Sequence, residues 1–175
     1  MTQTKTKTKS IVLCALFAAL ITVGAYIRIP TPIISITLQT LFVFLSGILL
    51  GKKNGAISSF IYLFLGIIGM PVFTKGGGFW YVFEPSFGYI IGFVVSAYFI
   101  GMITEKNPKF FNMLFASIIG TAIIYLFGVV YFYMISTFYL NVSTDISKLI
   151  LLPLPGDILS AVFAAFVGSK LRRYI

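Results

Sequence analysis

Histidine is absent from this 175-residue sequence, and cysteine occurs once, at Cys14. The first absence removes the commonest general base and the commonest metal ligand. The single thiol excludes a disulfide within the chain. Cys14 lies inside an apolar run and reads as a small packing residue. Acidic residues are scarce too: Glu84, Glu105, Asp145 and Asp157 are the whole set. There is no His-Glu-x-x-His, no serine-hydrolase elbow and no pair of intramembrane aspartates. No Gly-x-x-x-x-Gly-Lys-[Ser/Thr] phosphate loop occurs, so ATP is not hydrolysed by that route. Gly76-Gly77-Gly78 is followed neither by Lys-Ser nor by a strand-to-helix pattern, and reads as a flexible or close-approach segment. The chain is expected to be no enzyme and to hold no metal or cofactor.

Apolar residues are abundant instead. They make up 59% of the chain against 10% charged, with a mean hydropathy of +1.04. Soluble domains carry about 25% charged residues, so this is a membrane composition. One integral membrane domain is expected over residues 1–175. The net charge of +9 would suggest nucleic acid in a soluble protein. Here no Lys/Arg stripe interleaves with surface aromatics, so no nucleic-acid partner is expected. The cations flank apolar segments, where they fix orientation among membrane lipids.

After a basic N-terminus over residues 1–10, six apolar segments predict transmembrane helices at about 11–27, 36–50, 56–69, 87–104, 111–139 and 150–171. The first is longer than a signal-peptide core and has no Ala-x-Ala site after it, so it is read as a helix. The second and third are shorter than the roughly 20 residues an upright span needs. They form either two short spans, the preferred reading, or a re-entrant pair. Lys52-Lys53-Asn54-Gly55 is the polar turn between them. Alternating six segments from a cytoplasmic N-terminus puts ten of the thirteen Lys and Arg residues inside. Arg28, Lys75 and Lys148 fall outside. That asymmetry has the sign of the positive-inside rule. It places both termini in the cytoplasm, and Glu84, Asp145 and Asp157 on the outer side.

The expected outer connections hold most of the candidate site. Arg28 to Ser35 is rich in Pro and cannot be helical throughout. Met70 to Ser86 is too long for a turn and too aromatic for a linker. Asp157, in Leu154-Pro155-Gly156-Asp157, is a costly acid at a helix mouth. It caps that helix by accepting backbone N–H bonds, accepts N–H donors from a ligand, or does both, since a carboxylate has two oxygens. Gln39 and Thr40 begin the second segment; they either satisfy the helix start or point into an outward cavity. Trp80 and Tyr81 fit an interfacial aromatic belt. Their clustering with Glu84, Tyr89 and the glycine run also fits a pocket wall. Ala15-x-x-x-Ala19, with Ala18 adjacent, is a small-residue face that allows close helix approach. Asn141-Val142-Ser143 matches a glycosylation sequon and is read as chance.

These residues together resemble the BioY family, the biotin-binding membrane subunits (S components) of energy-coupling factor transporters. The likeness runs over nearly the whole chain. Its segments are Ala15 to Ile21 on to Arg28-Ile29-Pro30, then Ile36-Thr37-Leu38-Gln39-Thr40-Leu41-Phe42-Val43. Leu65-Gly66-Ile67-Ile68-Gly69-Met70-Pro71-Val72-Phe73 with the glycine run follows, and Leu154-Pro155-Gly156-Asp157 closes the set. The resemblance implies six helices in a bacterial cell membrane and a vitamin site near the outer face. It also implies energy from two ATPase subunits through a coupling membrane subunit, docked on Ala15 and Ala19. Biotin is then the expected ligand. Asp157 would accept from its ureido N–H groups, and Ser86, Tyr89 or Gln39 would donate to its carbonyl. Trp80, Tyr81 and Phe87 would cover its ring, with Arg28, Lys75 or Lys148 near its carboxylate. Two departures stand out. Ser160 occupies a position where the family pattern has Lys, leaving Ser160 or Lys75 to substitute. Phe87 replaces a small residue. The alternatives are an S component for thiamine or riboflavin, or a membrane assembly protein without a ligand.

Overall fold

Prolines and glycines lie where several of the apolar runs stop, since neither sustains a helix interior cheaply. The computed structural model describes residues 2–31, 35–140 and 145–172, with side chains from residue 7 onward. Pro32, the sequon at Asn141 and Arg173, and the side chain of Lys5, lie outside the described residues. Helix α1 covers Thr2–Tyr26, α2 Gln39–Ile67, α3 Phe87–Lys106, α4 Phe110–Phe138, α5 Ile146–Leu151 and α6 Leu154–Leu171. A two-residue ribbon pairs β1 (Arg28–Ile29) with β2 (Ile36–Thr37), antiparallel. The protein is an all-α membrane protein. Five helical stretches are long and apolar enough to cross a bilayer: Lys7–Tyr26, Gln39–Ile67, Phe87–Lys106, Phe110–Phe138 and Ile146–Leu171.

The segments expected at 36–50 and 56–69 lie within one element, α2, broken at Gly51. Gly51 has φ 78° and ψ 179°, a region essentially reserved for glycine. The chain doubles back there. Gln39 Nε2 reaches Tyr62 OH at 2.7 Å across 23 residues, which a straight helix would hold about 35 Å apart. Gly55 faces Gly47 so closely that a β-carbon on it would come within 2.9 Å of the Gly47 Cα. The expected turn over residues 51–55 contracts to one residue because the second half starts at once. Its first free N–H, on Lys52, donates to Glu105 Oε1 at 2.9 Å.

Other boundaries move for local reasons. No Pro or Gly interrupts residues 2–10, so α1 starts at Thr2 rather than near residue 11. The segment expected from 150 to 171 is divided: α5 ends at Leu151 and α6 begins at Leu154, around Pro153 and Pro155. Residues 70–86 are shaped by a 3₁₀ turn at Phe79–Phe83 and a Phe73–Gly76 bridge.

Helix α3 packs between α2 and α4, α1 packs on α2, and α6 packs on both α2 and α4. The core is filled by Phe44, Ile48, Ile100, Met113 and Ile124. Helix α6 turns Ala161, Ala164 and Ala165 inward, small residues that let its backbone approach closely.

Candidate functional site

At the end of the bundle where residues 28–31, 35–37, 70–86, 139–140 and 145–153 gather, the helices surround a cavity of about 680 Å³. That volume suits a small molecule. Thr37, Gln39 and Thr40 enter it from the start of α2, and Tyr62 from its second half. Tyr89, Ile90 and Phe93 come from α3, Ile124, Tyr125 and Phe132 from α4, and Asp157 from α6.

Asp157 is buried, 6% exposed. Its Oδ1 accepts from Thr40 Oγ1 at 2.7 Å and its Oδ2 from Tyr125 OH at 2.6 Å. The capping role is therefore not taken. Helix α6 begins three residues earlier, its N-cap is Pro153, and no side chain caps it. The Asp157 N–H is already intrahelical, donating to Pro153 O at 3.0 Å. The carboxylate instead ties α6 to α2 and α4. Each oxygen has one hydroxyl donor and keeps a lone pair for another.

Beside it, Gln39 forms a second polar station. Its Oε1 accepts from Thr37 Oγ1 at 3.1 Å, while Nε2 donates to Tyr62 OH. Gln39 and Thr40 are consecutive, so the amide and the carboxylate's partner are fixed by neighbouring residues. Tyr89 and Tyr125 meet edge to face at 6.2 Å between ring centres. Tyr89 OH donates to Leu149 O at 3.3 Å.

The rim is charged. Lys75 Nζ lies 2.8 Å from Glu84 Oε2, and Lys148 Nζ 3.5 Å from Asp145 Oδ2. Ser86 lies nearby, and the Tyr81 and Thr74 hydroxyls are hydrogen-bonded at 2.9 Å. The arrangement offers hydrogen-bond acceptors at a buried end, aromatic walls between, and charge at the rim.

Of the residues singled out in the sequence, Asp157, Gln39, Tyr81, Ser86, Tyr89 and Lys75 line this cavity. Trp80, Phe87 and Arg28 do not. Trp80 is 78% exposed and rests on Phe83, in the manner of an interfacial belt. Phe87 is buried against Tyr131, with ring centres 5.8 Å apart. It lies two residues from Tyr89, and a helix turns about 200° in two residues, so Phe87 faces away from the cavity. Arg28, on the exposed β1, donates to Thr74 O. Ser160 is buried on α6 and is not a lining residue. Ala15 and Ala19 are exposed on α1, with Ala18 buried between them.

Sequence reasoning missed Tyr125 and Tyr62, and placed Thr40 beside Gln39 without linking it to Asp157. Tyr125 sits in Ile123-Ile124-Tyr125-Leu126-Phe127, where a tyrosine reads as packing. The available signal was the acid itself: a buried carboxylate requires donors, and hydroxyls on apolar helices can supply them.

The sequence profile described as the BioY family matches residues 1–175. A probable biotin transporter BioY of Lysinibacillus sphaericus is 41% identical over 170 residues, covering 94% of this chain and 87% of that protein. The biotin transporter BioY of Thermotoga maritima is 36% identical over 170 residues, covering 94% and 96%. Among solved structures, the S-component for biotin from an ECF-type ABC transporter superposes with a TM-score of 0.76. It is 28% identical, with 98% of this chain and 94% of that one covered.

Proposed function

This chain belongs to the BioY family, and on that premise we propose how it works as the biotin-binding S component of an ECF-type transporter. It is a multi-pass subunit of the cell membrane that binds its substrate and leaves catalysis to others. The chain crosses the bilayer six times, the two halves of α2 counting as separate short spans. Both termini lie in the cytoplasm, an orientation supported by the ten-to-three distribution of basic residues. The cavity then opens to the outside.

The observation that carries the ligand assignment is the buried Asp157 carboxylate, held by two hydroxyls in the wall of the cavity. Biotin presents two ureido N–H donors, a carbonyl acceptor, an apolar thioether ring and a valerate carboxylate. The ureido N–H groups donate to Asp157, each bond to the charge contributing about 1.5–3 kcal/mol. Gln39 or Ser86 donates to the carbonyl. Tyr81, Tyr89 and Phe93 cover the ring, and the valerate points to the rim at Lys75 and Lys148. Thiamine and riboflavin find no support among relatives named for biotin.

Ala15 and Ala19 on α1 dock on a coupling membrane subunit, which links the site to two ATPase subunits. Their exposure supports that role.

A melting panel of vitamins on detergent-purified protein tests the assignment. Biotin at a hundredfold excess over Kd should stabilise the protein by about 2.7 kcal/mol, with no shift for thiamine or riboflavin. Asp157→Ala and Asp157→Asn should each weaken biotin at least tenfold, since one lost bond of about 1.4 kcal/mol is a factor of ten. Wild-type affinity in both variants would remove Asp157 from ureido recognition.

A further inference from the structure

The four acids of this protein are held in two different ways. Glu105 lies 3.5 Å from Lys52, Glu84 2.8 Å from Lys75 and Asp145 3.5 Å from Lys148. Asp157 enters no ion pair among the described residues. Its partners are two hydroxyl groups, delivered by Thr40 on α2 and Tyr125 on α4. A lysine at this distance would neutralise the carboxylate and take up a lone pair on one oxygen. A hydroxyl donor orients an oxygen without cancelling its charge. The Thr40 side chain meets Oδ1 and the Tyr125 side chain meets Oδ2, so neither oxygen is left to rotate. Both residues are themselves buried, Tyr125 with its ring against Tyr89.

We propose that Tyr125 and Thr40 are positioning residues for biotin recognition. They hold Asp157 as an oriented, un-neutralised acceptor whose remaining lone pairs face the cavity. This rests on the assignment of biotin to Asp157 made above. Tyr125 and Thr40 then determine specificity through Asp157: they favour ligands presenting adjacent N–H donors and disfavour ligands presenting an acceptor at that edge.

The test combines titration calorimetry with infrared difference spectroscopy on the purified protein and biotin. The Asp157 carboxylate band is identified by its loss in Asp157→Asn. Tyr125→Phe and Thr40→Val should each weaken biotin about tenfold or more and shift that band. Thr40→Ser, which keeps the hydroxyl, should retain wild-type affinity and band position. Melting of the ligand-free proteins identifies a variant that has failed to fold, and the Thr40 pair then decides alone. Weakened binding with an unmoved band would overturn the proposal in favour of direct contact or general packing. So would a shifted band with unchanged affinity. Wild-type protein that binds no biotin overturns the functional reading together with this one. Wild-type binding with unaffected variants overturns this one alone.

Discussion

Charge at Asp157 is tolerable because two neutral groups on other helices converge on it. An unpaired carboxylate in an apolar interior is costly, and breaking one partner leaves that cost exposed. Shape around the site is as sensitive as charge. A β-carbon at Gly128 would run into the Tyr89 ring, which lines the cavity beside Tyr125. Gly128→Ala is therefore expected to push Tyr89 into the ligand volume. Biotin affinity should fall by about tenfold, with helix content unchanged. Calorimetry and circular dichroism on the same sample check both halves of that statement. Of the polar residues nominated from the sequence, Asp157, Gln39, Ser86 and Lys75 line the cavity, while Arg28 does not. The aromatic nominations divided: Tyr81 and Tyr89 face the cavity, Trp80 and Phe87 do not. Composition identifies an aromatic cluster, but only backbone phase decides which rings face the same space.

At the scale of elements, the reversal inside α2 has the clearest structural cause. Gly51 adopts a positive φ, Gly101 of α3 packs against the Gly51–Lys52 backbone, and Glu105 accepts the first N–H of the returning half. A β-carbon at Gly51 would lie 2.5 Å from Glu105 Oε1. Gly51→Ala thus combines backbone strain with displacement of that acceptor. It is expected to cost about 1–3 kcal/mol, read as a lower melting temperature of the ligand-free protein. Gly51 does not line the cavity, so biotin affinity should be spared, and an unchanged melting temperature would show that the reversal does not depend on it. The polar Lys52-Lys53-Asn54-Gly55 stretch marked a turn in the sequence. That the turn narrows to Gly51 follows from α3 supplying Glu105, a contact across 53 residues.

On the scale of the whole molecule, one end and one side do different things. One end gathers connections and acids around a cavity. Along one side, α1 leaves Ala15 and Ala19 uncovered. Replacing Ala15 and Ala19 with tryptophan should abolish co-purification with a coupling subunit, because bulky side chains prevent close helix approach. Biotin affinity should stay unchanged, since neither residue lines the cavity. Loss of both properties together would place α1 in the folding of the subunit rather than in docking.

The sequence by itself determined the solvent. Its scarce charge and flanking cations mark a membrane protein, and its long unbroken apolar runs select helices, since a closed barrel, the other way to pair every backbone group in lipid, needs short alternating strands. It also marked Asp157 and Gln39 as polar groups that need partners. The tertiary structure alone decided what those partners are. Thr40 and Tyr125 lie 117 and 32 residues from Asp157 in the chain, and no local pattern links them. They meet because α6 packs its alanine face against α2 and α4. The pairing is a property of helix packing, which forms only when the whole bundle does.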